Sequence, residues 1–293
     1  MKKWASSVLG LLFVSSAVVT HAQWLNYKTP GVPRTADGTP KLDAPAPRTL
    51  DGHPDLSGVW MHEPTSVEEV RRLLGPERTD EGLKTNAPGM EFGTQHKYAF
   101  NILADFKPGD SPLRPESAKR IQELAAALAR EAPCSLPAGV PIGFPSQGLL
   151  SEPIKIVQAP RLTMIVYEFG GNHRQIYTDG RKLPAEFNLP AYLGYSVGRW
   201  ERDTFIVETA GFNGKTKLDG FGHPESEQMR VTERFHRRDF GHLDLEITFN
   251  DQKNYTRPFT IRVPHNLLAD EDIFEMFNEN EKDCAHIGKA QTK

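Results

Sequence analysis

Cysteine is scarce in this chain. Cys134 and Cys284 are the only two in 293 residues. They form no CxxC, and neither has the neighbours expected of a catalytic thiol. Other short signatures of chemistry are missing too. There is no GxSxG elbow, no HExxH, no Walker loop and no GxGxxG after a strand. The 10 histidines show no metal-ligand spacing, and His62, His96, His265 and His286 stand alone in sequence. These absences argue against metal or nucleotide-dependent chemistry, so no cofactor is expected. Charge of one sign is also lacking: 35 Lys and Arg stand against 38 Asp and Glu. That balance gives no electrostatic reason to expect nucleic acid or an anionic membrane as partner.

Long apolar runs are missing with one exception. Val8 to Val19 is apolar apart from Gly10, Ser15 and Ser16; Lys2 and Lys3 precede it, and Thr20-His21-Ala22 places small residues before Gln23. That is the three-part pattern of a cleaved signal peptide over residues 1–22, and the run is short of the roughly 20 residues a membrane anchor needs. The expectation is a periplasmic or secreted protein with no membrane span after cleavage. No Cys lies near the cleavage site, which argues against a lipid anchor. In an oxidising compartment an even cysteine count suggests a Cys134–Cys284 disulfide, the alternative being two separate buried thiols.

Turn formers, by contrast, are plentiful: 24 Gly and 23 Pro. Residues 23–56 read as a proline-rich extended arm with a 14-residue repeat. Pro33-Arg34-Thr35-Ala36-Asp37-Gly38-Thr39-Pro40-Lys41-Leu42 recurs as Pro47-Arg48-Thr49-Leu50-Asp51-Gly52-His53-Pro54-Asp55-Leu56. Each Asp-Gly predicts a tight turn, and two copies are too few for a solenoid. Residues 57–293 read as one β-rich domain. Leu56 to Trp60 is its first strand, and a capping box, Ser66 with Glu69, starts a short helix to Leu74. Residues 76–114 lack clear periodicity. Pro115 to Glu131 is the clearest helix, with Ile121, Leu124, Ala125 and Leu128 on one face.

From residue 154 the period becomes two. Strands are predicted at 154–158, 162–169, 173–178, 195–200, 204–212, 229–237, 242–250 and 257–263, and a short terminal helix at 270–280. In the strand at 229–237, Met229, Val231, Glu233 and Phe235 share one face; in the next, Leu243, Leu245, Ile247 and Phe249 do. The fold class is therefore mainly β: an antiparallel up-and-down meander curled into a barrel or strongly curved sheet, with a few short helices. A sandwich is the second choice.

Three stretches carry a resemblance: Pro54-Asp55-Leu56-Ser57-Gly58-Val59-Trp60, His173 to Arg181, and Gly194-Tyr195-Ser196-Val197-Gly198-Arg199-Trp200-Glu201-Arg202-Asp203-Thr204. Over residues 47 to about 280 the chain resembles a large family of secreted bacterial proteins, mostly uncharacterised. The resemblance implies secretion and supplies no activity. Members often carry a Cys nearer the start of the terminal helix than Cys284, which weakens any carry-over of the disulfide. The SGVW opening and the meander are also similar in architecture to lipocalins, and architecture does not establish function.

Polar residues gather at strand ends. His173, Arg174, Asp179, Arg181 and Trp200 are candidate ligand-binding residues: the arginines for an anionic group, Trp200 for stacking. Such residues also brace turns and plug barrels. His223, in a Gly-Pro loop, and Glu233, on an apolar face, are the candidate acid–base pair. A buried Glu233–arginine ion pair is the structural alternative, with Arg174 or Arg181 as partner. Three readings follow: a pocket protein for a small, partly apolar molecule, aromatic or terpenoid-like; a cofactor-independent lyase, isomerase or hydrolase in that pocket; or an envelope structural or interaction module. The expected partner is a small molecule, and the oligomeric state is left open.

Overall fold

A computed structural model describes residues 28–84, 95–107, 109–128, 149, 152–168 and 172–274. The expected signal peptide and both cysteines lie outside them. Nine strands close into a barrel in sequence order: β1 (Gly58–His62), β2 (Ile154–Ala159), β3 (Leu162–Tyr167), β4 (His173–Tyr177), β5 (Tyr195–Glu201), β6 (Thr204–Ala210), β7 (Arg230–Arg237), β8 (His242–Asn250) and β9 (Phe259–Leu267). β9 returns to β1, Trp60 opposite Leu267 and His62 opposite His265, so no sheet edge is left open.

One pairing departs from the expected antiparallel meander. β4 and β5 run parallel, Ile176 beside Ser196 and Tyr177 beside Val197. Asp179-Gly180 therefore does not close a hairpin. It starts a crossover over residues 178–194, since a parallel pair needs a long connection. The crossover is held where Ala191 bonds Gly211 and Asn213 through their backbones. β9 also runs past Pro264 to Leu267, whose N–H bonds the Gly241 carbonyl, while the Pro264 carbonyl accepts the Glu63 N–H.

Alternation sets which side chains fill the barrel. Val231, Glu233 and Phe235 face inward from β7, and Leu243, Leu245, Ile247 and Phe249 from β8. Successive rows cross the strands, one being Val207, Glu233, Ile247 and Ile261. Gly198 makes room for this core. A Cβ there would lie 2.5 Å from the Phe205 ring and 2.9 Å from Ile176 Cγ2. Gly198→Ala is expected to cost about 1–3 kcal/mol by overpacking, read from urea melts.

The two ends of the barrel differ. One carries four short helices. α1 (Val67–Leu74) is capped by Ser66, whose hydroxyl accepts the Glu69 N–H; α2 (Pro76–Lys84) and α3 (Lys97–Phe100) lie in the stretch without periodicity. α4 (Pro115–Leu128) begins where Arg114 N–H meets the Asn254 carbonyl. Residues 270–274, the described part of the expected terminal helix, are not helical. No helix among the described residues is long and apolar enough to cross a membrane.

The arm covers the other end. Both repeats fold into the same turn, with bridges Arg34–Pro40 and Arg48–Pro54. Each arginine donates to its own turn carbonyl, Arg34 to Gly38 at 2.9 Å and Arg48 to Gly52 at 2.7 Å. Each also clamps an aspartate of the domain, Asp270 and Asp203 respectively. Between the clamps, Phe240 and Gly241 donate their N–H groups to the Ala44 and Leu42 carbonyls, both at 2.7 Å.

Candidate functional site

The acid–base pair named from sequence is not brought together. Glu233 is 1% exposed inside the barrel, and its carboxylate takes both terminal nitrogens of Arg174 on β4, one at 3.0 Å. Arg174 Nε donates to Ser196 Oγ at 3.1 Å, and the same guanidinium reaches Thr209 Oγ1 at 3.2 Å. Burial alone would lower the Arg174 pKa, but Glu233 beside it raises it above the ordinary value, so the guanidinium stays charged. Both charges are answered within the barrel wall, which is the structural alternative for Glu233.

The other predicted ligand residues brace strand ends. His173 is exposed at the start of β4. Arg181 holds Asp179 through both carboxylate oxygens, stacks 3.9 Å over the Tyr177 ring and donates to Tyr195 Oη at 2.9 Å. Trp200 lies flat against His53 of the arm, rings 4.8 Å apart and 4° from parallel, and leans on Phe205. It plugs the end that the arm covers.

His223 sits in a different place, on the 211–229 loop at the helical end. Asp219 organises this loop. Its carboxylate accepts the N–H groups of Ile102, Gly222 and His223, and it also meets His223 Nδ1. Among the described residues no hydrogen bond uses His223 Nε2. Glu225, two residues on, was not singled out from sequence. It is 4% exposed, and among the described residues its carboxylate has only the loose neighbourhood of Thr216 and Gly214, with no hydrogen bond of good geometry. Burial raises its pKa to about 7, with Asp251 adding to the rise. Its signal was the short run around Pro224, which bridges Lys217 and carries His223 and Glu225, both buried, on either side of the proline.

Three of the histidines that stand alone in sequence, His62, His96 and His265, meet in space, and His286 lies outside the described residues. His62 packs against His96 with ring centroids 5.5 Å apart and against His265 at 6.3 Å. All three are buried. Burial, then the neighbouring rings, hold His96 down at about 2 and His265 at about 3, so both stay neutral. Among the described residues no group of three or more His, Cys, Asp or Glu side chains is placed to hold a metal ion.

A cleft of ligand size lies between the arm and the barrel. It has a volume of about 450 Å³ and is walled by Val32 of the arm and by Val59, Phe240 and Leu268. Arg237, the last residue of β7, is 4% exposed and lines it. Its guanidinium donates to the carbonyls of Asp55, Asp239 and Phe240 and lies 4.8 Å from the Trp60 ring. Lys155 on the rim is bound to Asp272 at 2.7 and 2.8 Å. Sequence reasoning missed Arg237, although the period of two that turns Glu233 inward turns Arg237 inward as well. Comparison with protein-family models, with curated proteins and with solved structures finds no match to this chain.

Proposed function

We propose that the protein works outside the cytoplasm as a pocket protein, binding a small, partly apolar molecule of aromatic or terpenoid type in the cleft under the arm. The observation that carries this reading is the cleft itself: about 450 Å³, apolar walls and a few convergent polar groups. The barrel interior around Arg174 is less suited, because its polar groups answer one another. The test is mass spectrometry of small molecules that co-purify with the protein and with Val32→Trp, which fills the cleft. A molecule bound to the parent and lost from Val32→Trp is expected. The same molecules on both proteins, or none above the blank, would overturn the reading.

A second reading, a cofactor-independent lyase, isomerase or hydrolase, draws on Asp219 and His223. A buried carboxylate fixes Nδ1 and leaves Nε2 for proton transfer. Incubating the co-purified molecule with the protein should then give turnover that His223→Gln abolishes while the melting temperature holds. Turnover unchanged in His223→Gln would exclude this loop as the site. An envelope module with a free arm is disfavoured, because Arg34, Arg48 and Arg237 all tie the arm down.

A further inference from the structure

Among the described residues no carboxylate forms an ion pair with the buried Arg237 guanidinium. The chain shows elsewhere how it neutralises such a group: Arg174, equally buried, has Glu233 against it. Among the described residues Arg237 meets carbonyl oxygens and aromatic faces. A guanidinium carries five N–H donors, and the carbonyls of Asp55, Asp239 and Phe240 take three hydrogen bonds from it. Trp60 and Phe240 present their rings at 4.8 and 5.1 Å. Two acids in its neighbourhood are committed to other donors. Asp55 accepts the Ser57 N–H at 2.8 Å; Asp239 accepts the Gly241 N–H at 3.1 Å and meets His242 Nδ1 at 2.6 Å. Burial lowers the Arg237 pKa to about 10 in spite of their attraction, so the group remains charged at neutral pH. An uncompensated buried charge is costly, and this one lines a cleft of ligand size.

We infer that the occupant of the cleft is a monoanion, an organic acid with an apolar body, and that Arg237 holds its charged group. This rests on the cleft-binding reading and adds the ligand's charge. The remaining charges of the lining restrict the class further. Lys155 is neutralised by Asp272, while Asp55 and Glu271 add negative charge to the same cleft. They make the lining net negative, which disfavours a phosphate dianion and confines a single negative charge to the immediate reach of Arg237. The apolar walls then take the carbon skeleton of a carboxylate or sulfonate.

Two probes with one aromatic body test this: 1-anilinonaphthalene-8-sulfonate, which is anionic, and N-phenyl-1-naphthylamine, which is neutral. Fluorescence titration of the full protein at neutral pH should give about ten-fold or more tighter binding of the sulfonate, the gain of a charge-assisted hydrogen bond. Arg237→Gln should bring the two affinities within about two-fold, with the neutral probe unchanged. Val32→Trp should abolish both. Equal affinities in the parent, with both lost in Val32→Trp, would overturn the anion inference and leave cleft binding intact. Binding of both probes unaffected by Val32→Trp would overturn cleft binding itself. Should Arg237→Gln fail to fold, competition in the parent decides: 4-phenylbutyrate is expected to displace the sulfonate and 4-phenylbutyramide is not, and equal displacement would refute the inference.

Discussion

Replacing Glu233 with Gln is expected to lower the unfolding free energy by roughly 3 kcal/mol or more, because it strands the Arg174 guanidinium in the barrel without a counter-charge. For a chain of this size that corresponds to a fall in melting temperature of roughly 6–12 °C. The double replacement Arg174→Met with Glu233→Leu should recover most of the loss. It removes both charges, and Ser196 and Thr209 still satisfy each other at 2.9 Å. Binding of N-phenyl-1-naphthylamine should survive in every variant that folds, since neither residue lines the cleft under the arm. Urea melts and one probe titration read both effects. A Glu233→Gln protein that melts like the parent and loses the probe would mean instead that Glu233 is functional.

Acid should unfold the protein through its histidines. The folded barrel keeps His96 at about 2 and His265 at about 3, against 6.5 ordinarily. Between pH 6.5 and about 3 the unfolded chain therefore binds about two more protons at these sites, and stability falls as pH drops. Glu168 and Glu225 act in the opposite sense. Burial raises both to about 7, so the folded state holds protons that the unfolded chain has lost. Their contribution is present at low pH and fades as pH rises through about 7. The two effects offset each other between roughly pH 4.5 and 6.5, giving a plateau. Below about 4.5 the unfolded chain protonates its carboxylates too, the offset ends, and the histidines alone give a loss of about 2.7 kcal/mol per pH unit. Surface carboxylates held low by arginines, such as Asp203 and Asp270, add to the fall at still lower pH. Comparison with His265→Leu isolates the histidine part, because it removes one of the two protons. Its slope between pH 4.5 and 3.5 should be smaller than the parent's by about 1.4 kcal/mol per unit. Parallel slopes would place the acid sensitivity elsewhere.

What the sequence discloses follows the range of its signals. β7 and β8 are legible almost residue by residue, because one face meets the core and the other water, and a period of two registers that directly. Ser66 is legible as a cap because capping is local. Direction is not local. The strand at 173–177 and the strand at 195–201 read alike whether the chain turns back between them or crosses over, so the parallel pair was invisible. Partners across the barrel are equally hidden. Arg174 and Glu233 lie on strands that do not touch, β4 and β7, and only closure brings them together. The meeting of His62, His96 and His265 likewise depends on β9 pairing with β1. The Asp-Gly turns of the arm are readable, whereas their seats, Asp203 and Asp270, are set by how the arm lies across the barrel end. Arg237 was missed for a different reason. Its inward position follows from the same alternation as Glu233, yet it falls at the strand end, where an arginine passes for a solvated cap.

The cleft under the arm is separable from the core by one experiment on isotope-labelled protein. Backbone amide shifts are recorded while 1-anilinonaphthalene-8-sulfonate is added. The expected changes centre on Val32, Val59, Phe240 and Leu268, the walls of the cleft, with Val207, Ile247 and Ile261 of the barrel core unmoved. Changes centred on that core row, or on the loop around His223, would contradict the assignment of the ligand to the space beneath the arm.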